Sequence, residues 1–187
     1  MSPQRDSAVV SPQTWRALVA SGHRFGPPRA PLTIVEFGDF ECPVCGTFEN
    51  TLRRVEKANP NQIAVIFHHW PLAYHRLAYP AAKAAECAAQ QGKFQAYHDL
   101  LYEHQDSLGL ISFDAFAGRA EVPDLATFKA CNDDSRPVKR IDADIAAALQ
   151  VGGQGTPTVI VNGVRLASIP DSAALALRLR RAAASGR

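Results

Sequence analysis

Residues 34–45 read Ile-Val-Glu-Phe-Gly-Asp-Phe-Glu-Cys-Pro-Val-Cys, and the fold of the chain can be worked outward from them. An apolar run of strand-forming residues, Thr33 to Phe37, ends at Gly38 and leads to two cysteines separated by two residues. From Cys45 onward, apolar side chains recur at helical spacing. The charged residues among them are expected on the other faces of this helix: Glu49, Arg53, Arg54, Glu56 and Lys57. The pattern predicts a buried strand that passes directly into an amphipathic helix, with the Cys-x-x-Cys motif at the junction.

The two cysteines occupy different positions in this predicted helix. Pro43 suits the first helical residue, because its missing N–H would be unpaired there in any case. Cys42 then lies at the helix N-terminus, where unpaired backbone N–H groups and the positive end of the helix dipole favour a thiolate. Cys45 lies one turn further, on the apolar face. We therefore expect an exposed, acidic Cys42 beside a covered Cys45, which is the arrangement of a redox pair.

The composition bounds the class of protein. A chain of 187 residues with 47% hydrophobic content predicts one domain with room for a sizeable insertion. Its 20 basic and 18 acidic residues nearly balance, so nothing indicates a nucleic-acid partner. The four cysteines are too few for a disulfide scaffold, and no stretch approaches the length of a membrane span.

The beginning of the chain leaves the compartment open. Residues 1–11 are mostly polar, and we expect them to form a disordered lead without a signal peptide. If Met1 is the native start, a cytoplasmic protein is expected. If a targeting segment has been removed, the protein works outside the cytosol.

The remaining secondary-structure signals define the fold class. Strands are predicted at about 32–37 and 62–68, with the helix at about 43–58 between them, and the right-handed crossover requires that they pair in parallel. Asn162-Gly163 between two apolar runs is a type I′ hairpin signal. The order predicts an α/β thioredoxin-like fold, a central mixed sheet flanked by helices, with an inserted all-helical domain. Four regions are expected: a lead and short helix at 1–24, the first part of the thioredoxin-like domain at 25–70, the helical insertion at 71–150 and the second part at 151–187.

Several motifs follow one another in a distinctive order. They are the run from Val35 to Cys45, Phe67-His-His-Trp-Pro-Leu72 with His75, Ala84-Ala-Glu-Cys-Ala88 with Gly92-Lys-Phe94, Tyr97-His-Asp-Leu-Leu101, and Gly155-Thr-Pro-Thr158. Together they cover about residues 25–185, and in this order they resemble the DsbA-like branch of the thioredoxin-fold oxidoreductases. A Cys-x-x-Cys motif alone would be far less specific.

The resemblance implies a role for each site residue. Cys42 corresponds to the attacking thiolate and Cys45 to the resolving cysteine. Pro157, after Thr156, corresponds to a cis-proline that faces the disulfide across the site. Glu36, six residues before Cys42, corresponds to a buried acid that accepts the proton of Cys45. Substrate is expected to pair with the backbone beside Thr156 and Pro157 and to contact Pro43 and Val44.

The dipeptide between the cysteines departs from the most oxidising members of that family, which carry Pro-His. The side chain of Val44 supplies neither a charge nor a hydrogen-bond donor to the thiolate. The remaining stabilisation of the thiolate comes from the helix terminus and amounts to about 0.3–1 kcal/mol, or up to about 2 in favourable geometry. Glu41 beside Cys42 opposes it. We therefore expect an oxidase of moderate potential.

The expected activity needs no cofactor beyond the two cysteines. The resemblance implies exchange with protein or peptide thiols and disulfides, and a redox partner that reoxidises or reduces the Cys42–Cys45 pair. We expect a monomer, without a membrane span in this chain. The resemblance favours a place outside the cytoplasm, in the periplasm or at the cell exterior. Two alternatives stay open: a reductase or isomerase fed by another electron donor, although isomerases usually carry a dimerisation module, and a peptide-binding chaperone whose cysteines are incidental.

Other interpretations were weighed for the remaining candidates. A zinc site would need two further ligands beside Cys42 and Cys45, and adjacent strand residues such as His68 and His69 point to opposite faces. The histidines, including His75, are therefore expected to be structural. Cys87 and Cys131 lie on apolar stripes of different predicted helices. They are either free core thiols or a second disulfide that favours an oxidising compartment.

Overall fold

The computed structural model describes residues 7–185. Its strands are β1 (Ala8–Val9), β2 (His23–Phe25), β3 (Leu32–Gly38), β4 (Ile63–His69), β5 (Thr158–Val161) and β6 (Val164–Arg165). Its helices are α1 (Pro12–Ser21), α2 (Pro43–Ala58), α3 (Ala78–Ala89), α4 (Phe94–Glu103), α5 (Phe113–Arg119), α6 (Leu125–Asp133), α7 (Lys139–Gln150) and α8 (Ser172–Ser185). A short 3-10 helix, Gln105–Ser107, follows α4.

The described strands form one mixed sheet in the order β1-β6-β5-β3-β4-β2. The central strands β3 and β4 are parallel over their whole length, from the Leu32–Ile63 pair to the Gly38–His69 pair, and α2 makes the crossover between them. On its other side β3 pairs antiparallel with β5, and the Asn162-Gly163 turn joins β5 to β6. This mixed sheet with helices on both faces confirms the predicted thioredoxin-like fold class.

Both edge strands of the sheet escaped prediction. Ala8 and Val9 belong to the lead that was expected to be disordered, but they pair antiparallel with β6 as strand β1. Residues 1–6 of that lead lie outside the described residues. His23–Phe25 pairs with β4 at the opposite edge. Strands of two or three residues carry too few side chains to show an alternating pattern, and they form here because a strand distant in the sequence, β6 for β1 and β4 for β2, offers them backbone partners.

The alternation of side chains along β3 decides which groups face the redox helix. Ile34 belongs to the core cluster that contains the apolar face of α2, whereas Val35 and Phe37 belong to the cluster on the other face, beneath α1 and α7. Because successive strand residues point to opposite faces, Glu36 shares the face of Ile34. A carboxyl group is therefore enclosed in the apolar layer between the sheet and α2.

A buried histidine and a buried aspartate join three elements on the opposite face. His68 Nδ1 contacts Asp144 Oδ1 at 2.6 Å, and His68 Nε2 contacts the Leu18 carbonyl oxygen at 3.0 Å. Asp144 Oδ2 also accepts a hydrogen bond from the backbone N–H of His69 at 3.0 Å. Because these groups connect β4 with α7 and α1, both residues belong to the framework and not to the redox site.

Five helices, α3 to α7, and the 3-10 helix lie in the chain between β4 and β5, where the helical insertion is predicted. Its treatment as a separate domain with limits 71–150 stays a prediction. Within this region Cys87 of α3 and Cys131 of α6 are joined by a disulfide bond, with their Cα atoms 5.8 Å apart. That separation falls in the range of unstrained disulfides. The bond crosslinks two helices of the region, with 44 residues of sequence separation.

Replacement of both Cys87 and Cys131 by alanine is expected to lower the free energy of unfolding by about 4 kcal/mol, since the crosslink restricts the unfolded chain. Thiol exchange at Cys42 should be largely retained. Denaturant unfolding of the wild type and the double variant, each with and without reductant, checks this. A difference in stability that persists undiminished in reductant would contradict the assignment to the disulfide.

Candidate active site

The active-site turn connects the end of β3 to the first turn of α2. Cys42 is the N-cap residue of α2, with φ −76° and ψ 116°, and Pro43 is the first helical residue, as the sequence predicts. The backbone N–H of Gly46 donates to the Cys42 carbonyl oxygen at 3.2 Å and begins the helical ladder. The sulfur of Cys42 therefore sits beside backbone N–H groups that have no partner within the helix.

The carboxylate of Asp39 holds this turn through hydrogen bonds. Its Oδ1 atom accepts a hydrogen bond from the backbone N–H of Glu41 at 2.8 Å. Its Oδ2 atom accepts from the backbone N–H of Leu72 at 2.9 Å and contacts His75 Nδ1 at 2.7 Å. One buried carboxylate thus ties the active-site turn to the segment that follows β4, and His75 has the structural part expected for it.

The sulfur of Cys42 is less accessible than predicted. The residue is only 5% exposed, which corrects the expectation of an exposed thiol. Its Sγ atom lies 3.5 Å from the carbonyl oxygen of Thr156, and the Thr156–Pro157 peptide bond is cis. The loop before β5 thus covers part of the sulfur. The sequence could not show this cover, because 114 residues separate Cys42 from Thr156.

The surroundings of Cys42 favour its thiolate and lower its pKa to about 5, well below the usual value near 8.5. The largest cause is a hydrogen bond from the Cys45 side chain. Burial opposes the shift. The Thr156 side chain and the backbone N–H groups of Cys45 and Val44 lower the pKa further. A thiolate cannot donate to the Thr156 carbonyl. The Thr156 hydroxyl, buried and without another partner, is the group of that residue that can donate to it.

Cys45 behaves in the opposite way. It is 0% exposed, and burial raises its pKa well above the usual value, with further contributions from its hydrogen bond to Cys42 and from the charge of Glu36. The reduced pair therefore consists of an ionised Cys42 and a protonated Cys45. This asymmetry, though not the exposure of Cys42, agrees with the sequence prediction.

Glu36 is fully buried, as the sequence predicts for an acid on β3. Burial raises the pKa of its carboxyl group well above the usual range, and the charges of Glu49 and Cys42 raise it further. Neither carboxyl oxygen has a hydrogen-bond acceptor or donor in the structure apart from the facing Glu49 carboxyl group. The raised pKa allows Glu36 to bind and release a proton beneath the cysteine pair.

Glu49 is the acid that the sequence analysis misplaced. It was expected away from the apolar face of α2, but it is 5% exposed and its carboxyl group faces Glu36. Glu49 follows Cys45 by four residues and precedes Leu52 by three, so it lies on the buried face at helical spacing. That spacing was a usable signal. Every charged residue of α2 was instead expected away from the apolar face, and only the packing of α2 on β3 shows that Glu49 is buried.

A groove beside the cis-proline leads away from the cysteines. It has a volume of about 400 Å³ and is lined by Gly155, Pro157, Thr158, Arg165 and Ile169 among others. On the other side of the sulfur, the side chain of Val44 is 47% exposed. The predicted substrate contacts Thr156, Pro157 and Val44 thus lie around one sulfur atom, with Pro43 beginning the helix beside it.

One group of potential metal ligands lies within the described part of the chain, away from the cysteines. It comprises His23 of β2, His69 of β4 and Glu86 of α3, whose ligand atoms lie within 4.8 Å of one another. Both histidine Nε2 atoms contact the same oxygen, Glu86 Oε1, at 2.5 and 2.9 Å, and Arg140 Nε lies 3.3 Å from it. Burial raises the pKa of Glu86, but the contacts with His23 and His69 outweigh it and lower the pKa to about 2. The group is thus an ion cluster that joins α3 to the sheet edge.

The fold and the cysteine pair define a thioredoxin-fold protein with a Cys-x-x-Cys motif at a helix N-terminus. A family model described as thioredoxin (Thioredoxin_4) matches residues 19–177. The chain therefore belongs to this thioredoxin family, and DsbA-like proteins are among the solved structures that share its fold.

Solved structures share this fold over nearly the whole chain. BdbD from Bacillus subtilis, in its oxidised form, aligns with a TM-score of 0.77 and 22% identity, covering 94% of this chain and 96% of that one. DsbA2 from Pseudomonas aeruginosa aligns with a TM-score of 0.63 and 26% identity, covering 84% and 92%.

A different kind of relative is found by sequence. The Na⁺/H⁺ antiporter NhaA 3 of Salinispora tropica is 40% identical over 166 residues, which cover 88% of this chain and 25% of that protein. The chain thus spans about a quarter of the length of this curated relative. Among residues 7–185, no helix combines the length and the apolar character that a membrane crossing requires.

The pKa difference between the two cysteines predicts selective alkylation. In the reduced protein, iodoacetamide should modify Cys42 first, with a rate that rises with pH around a midpoint near 5, because only the thiolate reacts. Peptide mass spectrometry of samples quenched at each pH checks this. In a Cys42→Ala variant, Cys45 should stay almost unlabelled in the same interval. Labelling mainly at Cys45, or a midpoint near 9 for Cys42, would contradict the assignment.

Proposed function

We propose that the chain is a thiol–disulfide oxidoreductase that exchanges disulfides with protein substrates through Cys42 and Cys45, as an oxidase of moderate potential. The observation that supports this most directly is the asymmetry of the pair. An ionised sulfur stands at a helix N-terminus, and its partner is enclosed and protonated. A pair held only for structural reasons would not need opposite shifts in the two pKa values.

In the oxidising direction, a substrate thiolate attacks the Cys42 sulfur of the Cys42–Cys45 disulfide. A substrate–Cys42 disulfide forms and Cys45 leaves as a thiolate. A second substrate thiolate then attacks the substrate sulfur and displaces Cys42, whose low pKa makes it a good leaving group. The substrate departs with a disulfide and the chain with two thiols. A redox partner must then take up two electrons from the pair.

Glu36 is proposed to manage the proton in this cycle. The buried Cys45 cannot remain a thiolate, because burial strongly favours its protonated form. Glu36, whose pKa is raised by its own burial, can in its protonated form donate this proton when Cys45 leaves. In the reverse direction, the carboxylate of Glu36 accepts the proton as Cys45 attacks the mixed disulfide. The charge of the facing Glu49 carboxyl group raises the pKa of Glu36 further.

The substrate is proposed to bind as an extended peptide along the loop that contains Thr156 and Pro157. Pro157 has no N–H and so leaves the Thr156 backbone groups as the local partners for a substrate backbone. The exposed side chain of Val44 and the end of α2 at Pro43 offer an apolar contact on the other side of Cys42. The adjoining groove, which includes Ile169, then receives the neighbouring substrate side chain.

Two features support the proposed potential and compartment. Val44 contributes to the Cys42 thiolate only through its backbone N–H, so the couple lacks the side-chain donor that a histidine supplies. This supports a couple less oxidising than that of the Pro-His enzymes. The Cys87–Cys131 bond in the helical region supports a compartment where disulfides persist, outside a reducing cytosol.

The proposed function predicts a covalent intermediate at Cys42. In a Cys45→Ser variant, a substrate protein that has formed a mixed disulfide with Cys42 should stay attached, because the sulfur that would resolve this disulfide is missing. The wild type should release it and should also catalyse insulin reduction with dithiothreitol, whereas Cys42→Ser should do neither. Peptide binding that survives in Cys42→Ser without any redox turnover in the wild type would favour a chaperone. A potential at or below that of thioredoxin, measured against glutathione, would favour a reductase.

The role of Glu36 predicts slower resolution in a Glu36→Gln variant. Attack of Cys45 on the mixed disulfide should slow by about 10²-fold at neutral pH, as is usual for the loss of a general base. The same variant should unfold less readily than the wild type. Since the folded-state pKa of Glu36 is raised, the wild type loses stability as pH rises above the unfolded value near 4.3, and this difference should grow up to the folded-state pKa.

Single-turnover kinetics and urea unfolding from pH 4 to 9 measure both effects. Glu103→Gln, at an exposed glutamate on α4, is the matched control and should change neither. A Glu36→Gln variant that resolves mixed disulfides at the wild-type rate would exclude the proton role, even if its stability changes as expected.

A further inference from the structure

One side chain of the helical region reaches the active-site turn directly. Gln105 begins the 3-10 helix after α4, and its Nε2 atom donates hydrogen bonds to the carbonyl oxygens of Phe40 and Cys42, each at 2.8 Å. An amide nitrogen carries two hydrogens, so both are used. The two carbonyls that receive them flank Glu41 and belong to the turn that presents the Cys42 sulfur.

The helix that carries the cysteines leaves room for this amide. A Cβ atom at Gly46 would lie 2.5 Å from Gln105 Oε1 and 3.2 Å from its Cδ. A side chain at position 46 would therefore require the amide of Gln105 to shift from its present position. The residue directly after the Cys-x-x-Cys motif and a residue 59 positions further along the chain (105 − 46) are thus matched to each other.

The contact acts on the groups that stabilise the Cys42 thiolate. The backbone N–H groups of Val44 and Cys45 donate to the sulfur, and their direction depends on the conformation of the N-cap residue. The carbonyl oxygens of Phe40 and Cys42 carry partial negative charge close to the same sulfur. An amide that donates to both carbonyls fixes the turn and offsets this negative charge.

We propose that Gln105 is a positioning residue for thiol–disulfide exchange, which sets the redox potential of the Cys42–Cys45 pair from the helical region by holding the active-site turn. The inference rests on the proposed function, since it assumes that the pair is redox-active. Loss of the contact destabilises the thiolate of the reduced form. The equilibrium then moves toward the disulfide, and the protein becomes a weaker oxidant.

The test compares variants that remove the contact from either side. Gln105→Met keeps the approximate shape but removes both donors, and Gly46→Ala displaces the amide. In each, the equilibrium constant with glutathione should shift about tenfold toward the disulfide form, which corresponds to about 30 mV for a two-electron couple. The pH midpoint of Cys42 alkylation should rise in parallel. The double variant should shift no further than either single variant, because both changes remove the same contact.

A matched control separates positioning from general stability. Gln91 of the helical region also bonds with its amide to the backbone, donating to Asp124 O at 3.0 Å and accepting from Asp124 N at 2.8 Å. Gln91→Met should lower the melting temperature as Gln105→Met does, but leave the glutathione equilibrium and the alkylation midpoint unchanged. If Gln105→Met also leaves both unchanged, or if the shifts of Gly46→Ala and Gln105→Met add, the inference is wrong. A wild type without any glutathione equilibrium at Cys42–Cys45 would instead refute the proposed function.

Discussion

The position of one sulfur atom at the start of α2 is the constraint on which the rest of the site depends. Strand β3 runs through the centre of the sheet and ends at a turn. The helix that follows therefore begins beside the end of this central strand, and its first N–H groups have no partner within the helix. Cys42 occupies the N-cap and meets those groups. The effect of a helix terminus on a charge is small by itself. Here the side chains of Cys45 and Thr156 add donors to the same sulfur, and together with the backbone N–H groups they outweigh the burial that raises its pKa.

The second cysteine is made inert by the same geometry. One turn along α2, the side chain of Cys45 points into the layer between helix and sheet, where Glu36 and Glu49 also lie. Burial disfavours the charged forms here, and the charge of Glu49 raises the pKa of Glu36 while the charge of Glu36 raises that of Cys45. The layer therefore stores protons. Cys42, at the boundary of this layer, is the sulfur that ionises, because hydrogen-bond donors stabilise its thiolate.

The helical region contributes to the site through specific contacts and not through bulk alone. The segment after β4 provides His75 and the backbone of Leu72 to Asp39, and the 3-10 helix provides Gln105 to the carbonyls of Phe40 and Cys42. Both contacts hold the backbone of the active-site turn, on either side of Glu41. The carboxylate of Glu41 itself accepts a hydrogen bond from the backbone N–H of Leu77, which draws it toward the start of α3.

The sequence by itself determined the central strand–helix–strand unit, the Cys-x-x-Cys pair at the start of its helix, the acid at Glu36 and the loop with Thr156 and Pro157. These features depend on local patterns: alternation, helical spacing, the preference of proline for the first helical turn, and a recognisable order of motifs. Tertiary structure decided that Ala8–Val9 and His23–Phe25 are strands, that Glu49 is buried, that Thr156 covers Cys42, and that Gln105 holds the turn. Each of these is a contact between segments distant in the chain. No local pattern encodes such a contact, because the partner that satisfies the backbone group or excludes the water arrives only when the chain has folded.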